Sequence, residues 1–309
     1  MLFVGTESKD GMVEKSQAHT RGRMMKRGLR WLRLIVIAAI AAILFWTIAL
    51  MMLENQFIYF PEKYPNGPYE QARSIANLQD CWITTQDGVK IHAWYAPAES
   101  ARATLVISHG NAGNLSHRYL ILRSLQRHRY NAVMYDYRGY GRSEGTPSEE
   151  GIYSDGRAAL DFVLTLPGVD SSRIFLWGTS LGGAVAIDVA THRTIAGLIL
   201  ESTFTSAADV ARTMYPFLPV QYFLRTKLNS IEKIKSLRLP ILVVHGSHDT
   251  IIPIGMGRQL FQAAPGPKEM YEIPGADHND TFFVGGEEYF DRIGRFTISA
   301  LTSKTAPGK

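Results

Sequence analysis

The sequence predicts an α/β domain, a mostly parallel sheet with helices on both faces, carried behind one transmembrane helix. Three observations predict it. From residue 89 onward, short continuous apolar runs alternate with stretches of helical period. Strands that are apolar without interruption have to be covered on both faces, as in parallel sheets. One uncharged run of twenty residues, 34–53, precedes them. Finally, several of the strands end in glycine-rich or acidic loops.

The run at 34–53 reads LIVIAAIAAILFWTIALMML, with Thr47 its single hydroxyl. At about 1.5 Å per residue it makes roughly 30 Å of helix, the thickness of a bilayer's hydrocarbon core. It lacks the polar face of a core helix. It is also longer than the apolar region of a cleaved signal peptide, about 7–15 residues, and no small-x-small site follows it. It therefore reads as an uncleaved signal-anchor over 31–53, with a basic tail over 1–30, irregular through residue 20, and a catalytic-sized domain over 54–309. Residues 1–33 hold eight Lys/Arg against three acids, which accounts for the chain's whole net charge of +5. The rest is electrically neutral, which excludes a phosphate-tracking nucleic-acid surface. Six of those bases lie between Arg21 and Arg33, and none lies at 54–60. The positive-inside rule then keeps the N-terminus cytoplasmic and sends the domain across, to the periplasmic side of the inner membrane if the source is bacterial.

After a connector containing Pro61, Pro65 and Pro68, strands are predicted at 89–96, 103–108, 131–135, 173–177, 197–201, 241–245 and 270–273. Helices are predicted at 116–128, 148–166, 181–191, 254–263 and 287–300. The second has apolar residues at helical spacing (Ile152, Ala159, Phe162, Val163, Leu166) and stops at Pro167-Gly168. The alternation breaks over 202–239, which contains Tyr215, Pro216, Phe217, Pro219, Tyr222 and Phe223. So long a stretch is rarely structureless in a compact domain, so a small helical insertion is expected, either capping a site or packing on the sheet edge. With 46% hydrophobic and 20% charged residues the chain is not disordered. Its one cysteine, Cys81, excludes an internal disulfide and any multi-cysteine zinc site.

Chemistry concentrates where strands end. GTSLGG at 178–183 joins a strand to a helix. A serine on so sharp a turn needs glycine on both sides, and the helix N-terminus beyond it favours developing negative charge. The plainer alternative is a small-residue junction between strand and helix. A serine hydroxyl becomes nucleophilic only when a histidine takes its proton and a carboxylate orients that histidine. Asp249, in HGSHD after the 241–245 strand, and His278, in GADHND after the 270–273 strand, supply the two types in the order serine, acid, histidine. Glu201, ending its own strand, is the alternative acid. His245 reads as a core histidine, His248 sits on the wrong strand for a base, and Asp277 and Asp280 read as turn formers. Two main-chain donors for an oxyanion are expected, the N–H of Leu181 and that of Asn111 in HGNAGN at 109–114. That loop lacks the Gly-Lys-Ser/Thr ending of a phosphate loop.

HGNAGN, YDYRGYGRSEG, GTSLGG, HGSHDTIIP and GADHND, in this order, resemble the α/β-hydrolase fold over about residues 55–300. The likeness is strongest to the Bem46-like branch of membrane-anchored serine hydrolases, with its ABHD13- and ABHD17-type proteins. The resemblance implies Ser180 as nucleophile, His278 as general base and acid, and Asp249 as orienting acid. It also implies a structural turn over 135–145, with Asp136 and Arg138 in fixed hydrogen bonds. No metal or cofactor is implied. The substrate would be a carboxylic ester or thioester, small or lipid-like. Acyl transfer or amide cleavage by the same triad, and a catalytically silent membrane-anchored scaffold, are the alternatives. Depalmitoylating members carry a cysteine-rich N-terminus where this chain has its apolar span, which argues against protein deacylation. Two sequons, Asn114-Leu115-Ser116 and Asn279-Asp280-Thr281, lie beside the expected site, where a glycan would block it.

Overall fold

The computed structural model describes residues 9–305. The chain divides at Leu53/Glu54 into an N-terminal unit and a larger C-terminal unit. Helix α1 (Lys9–Ile58) runs through the apolar segment. Its stretch Arg23–Ile48, of mean hydropathy 2.3, is long and apolar enough to cross a membrane, and none of it is buried against protein. Residues 9–20 are helical, which corrects the irregular tail expected there; residues 1–8 lie outside the described residues. Once the apolar run has nucleated a helix, each added residue costs little, and the Met, Glu, Lys and Gln that precede it are good helix formers.

The C-terminal unit is an eight-stranded sheet. Its strands are β1 (Gln79–Thr84), β2 (Lys90–Ala96), β3 (Ala103–Ser108), β4 (Tyr130–Tyr135), β5 (Ile174–Thr179), β6 (Gly197–Glu201), β7 (Ile241–Gly246) and β8 (Lys268–Ile273). They lie in the order β1-β2-β4-β3-β5-β6-β7-β8. β1 and β2 pair antiparallel and β2 joins β4 antiparallel; the other pairs are parallel. The helices that follow α1 are α2 (Tyr69–Ala72), α3 (Tyr119–Arg127), α4 (Glu149–Val163), α5 (Leu181–His192), α6 (Ala207–Met214), α7 (Ser230–Ile234), α8 (Ile254–Ala263) and α9 (Thr281–Thr305). The short helices α6 and α7 form the expected insertion.

The central strands show why their sequences carry no polar alternation. Val106, Leu176, Leu198 and Val243 face one hydrophobic layer with Leu160, Val185 and Val189. Their neighbours Ile107, Trp177, Ile199 and Val244 face the other with Leu122, Ile293 and Phe296. Both faces are core, and each fully buried Leu, Val or Ile contributes about 1.5–3 kcal/mol. The N-terminus of α4 is capped as its sequence suggests, Ser148 Oγ accepting from the Gly151 N–H at 3.2 Å.

Because β5, β6, β7 and β8 are parallel neighbours, the loops that follow them emerge along one edge of the sheet. That edge carries residues 180, 202, 247–250 and 274–280.

Candidate active site

Ser180 separates β5 from α5 with φ +54° and ψ −116°. A non-glycine residue there is strained by about 1–3 kcal/mol and persists only where its surroundings over-determine it. They do so here. The Ser180 N–H donates to the Glu201 carbonyl at 2.9 Å. The Ser180 carbonyl accepts from the Thr203 hydroxyl at 2.7 Å and the Gly183 N–H at 3.0 Å. A Cβ on Gly182 would run into the Ser108 carbonyl, and one on Gly178 into the Gly182 carbonyl. The glycines at 178 and 182 thus answer to backbone pressed on backbone, beyond the needs of the turn itself.

The loop after β3 lies against this turn: a Cβ on Gly110 would sit 3.6 Å from Ser180 Cβ. Next to it, Asn111 is held by its side chain. Its Oδ1 accepts from the Tyr140 hydroxyl at 2.7 Å and the Phe60 N–H at 3.2 Å, and its Nδ2 donates to the Ile58 carbonyl at 2.5 Å. Among the described residues, neither the main-chain N–H of Asn111 nor that of Leu181 donates to a protein acceptor. The Leu181 N–H stands at the N-terminus of α5, directly after Ser180, where the helix dipole favours negative charge.

Asp249 and His278 meet directly. His278 Nδ1 donates to Asp249 Oδ2 at 2.8 Å, which fixes the tautomer with a free lone pair at Nε2. Both side chains are buried. Asp249 Oδ1 accepts from the main-chain N–H groups of Ile251 and Ile252 at 3.0 and 2.7 Å. Burial raises the Asp249 pKa, but the hydrogen bonds from His245 and His278 outweigh it and hold the carboxyl well below the usual carboxylate range.

His245 went unrecognised as a site residue in the sequence. It is fully buried, and its Nε2 lies 2.8 Å from the Ile252 carbonyl and 3.2 Å from Asp249 Oδ2. Both neighbours are acceptors, so Nε2 carries the proton, which is directed to the Ile252 carbonyl, and His245 is a second imidazole packed against the same carboxylate. The signal was present in HGSHD, where the strand's last histidine stands four residues before the acid and the turn folds the two together.

Glu201 has a different occupation. Its Oε2 accepts from Trp177 Nε1 at 3.0 Å and Thr179 Oγ1 at 3.1 Å, and its Oε1 accepts from Thr281 Oγ1 at 2.5 Å and the Tyr289 hydroxyl at 2.8 Å. All four are structural donors and none is an imidazole. Through Thr281, Glu201 also ties the loop carrying His278 back to β6, the strand beside Ser180. Asp277 serves as a turn former: its Oδ1 accepts from the N–H groups of Thr250 and His278 at 2.8 and 2.7 Å. His248 is exposed, its ring bonded to Ser247 Oγ and its main-chain N–H donating to the Ala276 carbonyl at 2.9 Å.

The structural turn is likewise knitted. Arg138 is bidentate to Asp87 (2.7 and 3.0 Å) and bonds the buried Asp155 through Nε and Nη2. Asp136 accepts from the Leu115 N–H at 2.8 Å. Asn114, in the first sequon, is buried, its Nδ2 bonded to the carbonyls of Glu62 and Asn66. A glycan at Asn114 would therefore require the loop to open. No cluster of metal-ligating side chains occurs among the described residues.

Comparison with known proteins agrees with this architecture. Residues 99–231 match the sequence profile of the serine aminopeptidase S33 family. The chain is 33% identical over 283 residues to WAV2 of Arabidopsis thaliana, an alpha/beta hydrolase domain-containing protein, covering 83% of this chain and 89% of the relative. It is 30% identical over 271 residues to protein bem46 of Schizosaccharomyces pombe, covering 81% and 90%. The Pyrococcus furiosus esterase Pf2001 superposes with a TM-score of 0.65 at 21% identity, covering 79% of this chain and 98% of that one, a likeness of fold. By identity and by span, this chain belongs to the Bem46-like family of α/β hydrolases.

Proposed function

We propose that the domain cleaves carboxylic esters or thioesters through an acyl-enzyme, with Ser180, His278 and Asp249 as the triad. His278 Nε2 takes the Ser180 proton as Oγ attacks the acyl carbon. The tetrahedral oxyanion is received by the main-chain N–H groups of Asn111 and Leu181, donors of the kind that supply about 3–4 kcal/mol each when removed singly. His278 then protonates the departing alkoxide or thiolate, and water, activated by the same imidazole, releases the acid. The observation that carries this reading is the 2.8 Å bond between His278 and Asp249 on the edge where Ser180 stands strained at a helix N-terminus.

In this reading residues 1–30 form a cytoplasmic basic tail, 31–53 a signal-anchor, 54–309 the exported catalytic domain and 202–239 a small cap. A fluorophosphonate probe tests the nucleophile. The wild-type chain should label and Ser180→Ala should not, with unchanged circular dichroism. Undiminished labelling of the alanine variant would remove Ser180 from the mechanism.

One observation favours a second reading, amide cleavage: the match of residues 99–231 to the serine aminopeptidase profile. Matched p-nitrophenyl esters and amino-acid p-nitroanilides separate the two, and faster turnover of the anilides would favour the amidase.

A further inference from the structure

The uncharged segment 214–224, MYPFLPVQYFL, runs from the last residue of α6 into the rest of the insertion. Six of its large apolar or aromatic side chains stand in solvent: Met214, Tyr215, Phe217, Leu218, Tyr222 and Phe223. Phe217 is 96% exposed and Tyr222 80%. Isolated exposed apolar residues are ordinary, but this concentration without a single charge marks an interaction surface.

Its partner follows from chain connectivity. Glu54 is the first residue after the apolar run and is itself buried. Its carboxylate accepts from the main-chain N–H groups of Arg225 and Thr226, Oε1 lying 2.7 Å from the latter. Phe223 and Tyr222 stand two and three residues before Arg225, within about 7–11 Å of chain. The residue that leaves the span is thus clamped to the end of the exposed aromatic segment. A few residues on, Ile58 and Phe60 hold the side chain of Asn111, beside Ser180. The aromatic segment and the 109–114 loop are both bonded to residues 54–60, the stretch that follows the apolar run in sequence.

We infer that segment 214–224 is seated in the headgroup–acyl boundary of the bilayer that holds residues 34–53, so that the site draws membrane-resident acyl esters. Tyrosine suits that depth, with its ring among acyl chains and its hydroxyl among headgroups. The ester bonds of acyl lipids lie at the same level. This inference rests on the membrane-anchor and ester-hydrolase readings above.

The full chain in phosphatidylcholine/phosphatidylglycerol nanodiscs tests it. In a Cys81→Ser background, a nitrobenzoxadiazole label is placed at Phe217→Cys, at Tyr222→Cys and, as a control, at Arg127→Cys. Lipids carrying a nitroxide near the headgroup should quench the labels at 217 and 222 by more than half and leave the label at 127 unquenched. Because both patch positions are exposed, at least one of the two variants will fold. A label at 217 or 222 that is water-accessible and unquenched in a chain resistant to alkaline carbonate overturns the seating alone. A blue-shifted but unquenched label shows a protein partner or second copy in place of lipid, and also overturns it. Extraction of the chain by carbonate overturns the anchor reading and the seating together. The depth readout is independent of turnover, so a failed fluorophosphonate test of Ser180 overturns the hydrolase reading and the substrate assignment while leaving the seating measurable.

Discussion

In the proposed triad, Asp249→Asn should abolish most activity while leaving the fold intact, for a reason that lies in its hydrogen bonds. Asp249 Oδ1 faces two fixed main-chain donors, the N–H groups of Ile251 and Ile252, while Oδ2 faces His278 Nδ1 and His245 Nε2. An asparagine has one acceptor oxygen, and the immobile backbone donors will claim it. Its NH2 then faces both imidazoles. His278 has to present a lone pair at Nδ1 and carry its proton at Nε2, where it can no longer accept from Ser180. The same substitution in a serine-protease triad lowers turnover about 10⁴-fold, so a loss of about 10³- to 10⁴-fold, on the order of 4–5.5 kcal/mol, is expected here. The assay is p-nitrophenyl butyrate hydrolysis by the full chain, with thermal melting to verify folding. Glu201→Gln is the control. Its amide can turn toward the hydroxyls of Thr281 and Tyr289, which can rotate to accept, so it should cost about 1–3 kcal/mol of stability and change activity only a few-fold. A folded Asp249→Asn variant that loses less than tenfold, or a Glu201→Gln variant that loses a thousandfold, would refute the assignment.

Three further outcomes follow from the same contacts. Gly182→Ala forces its methyl onto the Ser108 carbonyl, backbone that cannot give way, and should prevent soluble expression, whereas Gly255→Ala, open around its Cβ position, should melt with the wild type. Arg138→Met takes the guanidinium from the fully buried Asp155, whose carboxyl burial already pushes up to about 6, so the acid takes up a proton and loses its charge-assisted bonds; this should cost about 3–5 kcal/mol in urea denaturation at neutral pH, and a loss under 1 kcal/mol would show that Asp155 has another compensating partner. The lowered pKa of Asp249 also sets an acid limb. Its contribution to stability is complete above the unfolded carboxyl's value of about 3.9 and is lost as pH falls through the lower folded value. The melting temperature of Asp249→Asn should therefore fall less steeply than that of the wild type below pH 4, and parallel curves would contradict it.

The parallel core was legible because it is written twice, once in uninterrupted apolar runs and again in the glycine-rich ends of those runs. β1 was not. Gln79–Thr84 reads QDCWIT, an edge strand with most of its residues exposed, and its pairing with β2 is dictated by tertiary contact. The meeting of Asp249 with His278 was foreseeable because each follows a parallel strand, and Ser180 follows another strand of the same edge. His245 was passed over for a physical reason: at the end of a buried strand, a histidine satisfied by a carbonyl and one bonded to an acid look identical. Only the turn at 247–252 distinguishes them, by bringing both the Ile252 carbonyl and Asp249 to the same Nε2.

The 109–114 loop, proposed to receive the oxyanion, depends on residues far outside its own motif. With Gly110 and Gly113 on either side of Asn111, the loop has little intrinsic stiffness. What holds it is the stretch just after α1. The Phe60 carbonyl accepts from the Gly113 N–H at 3.2 Å and the Glu62 N–H donates to the Gly113 carbonyl at 3.0 Å. Glu62 and Tyr64 exchange two further main-chain bonds with Gly141, both 3.0 Å. Residues 58–64 thus lie as a short parallel bridge beside two loops that would otherwise have to be ordered at the moment of reaction. A donor fixed beforehand stabilises an oxyanion without reorganisation, and one that must first be immobilised loses that advantage. The profile match begins at residue 99. A unit cut there would keep β5, β7 and β8 but lose the brace that fixes Asn111, so the proposed hydrolase needs the segment from Ile58 onward as part of its working unit.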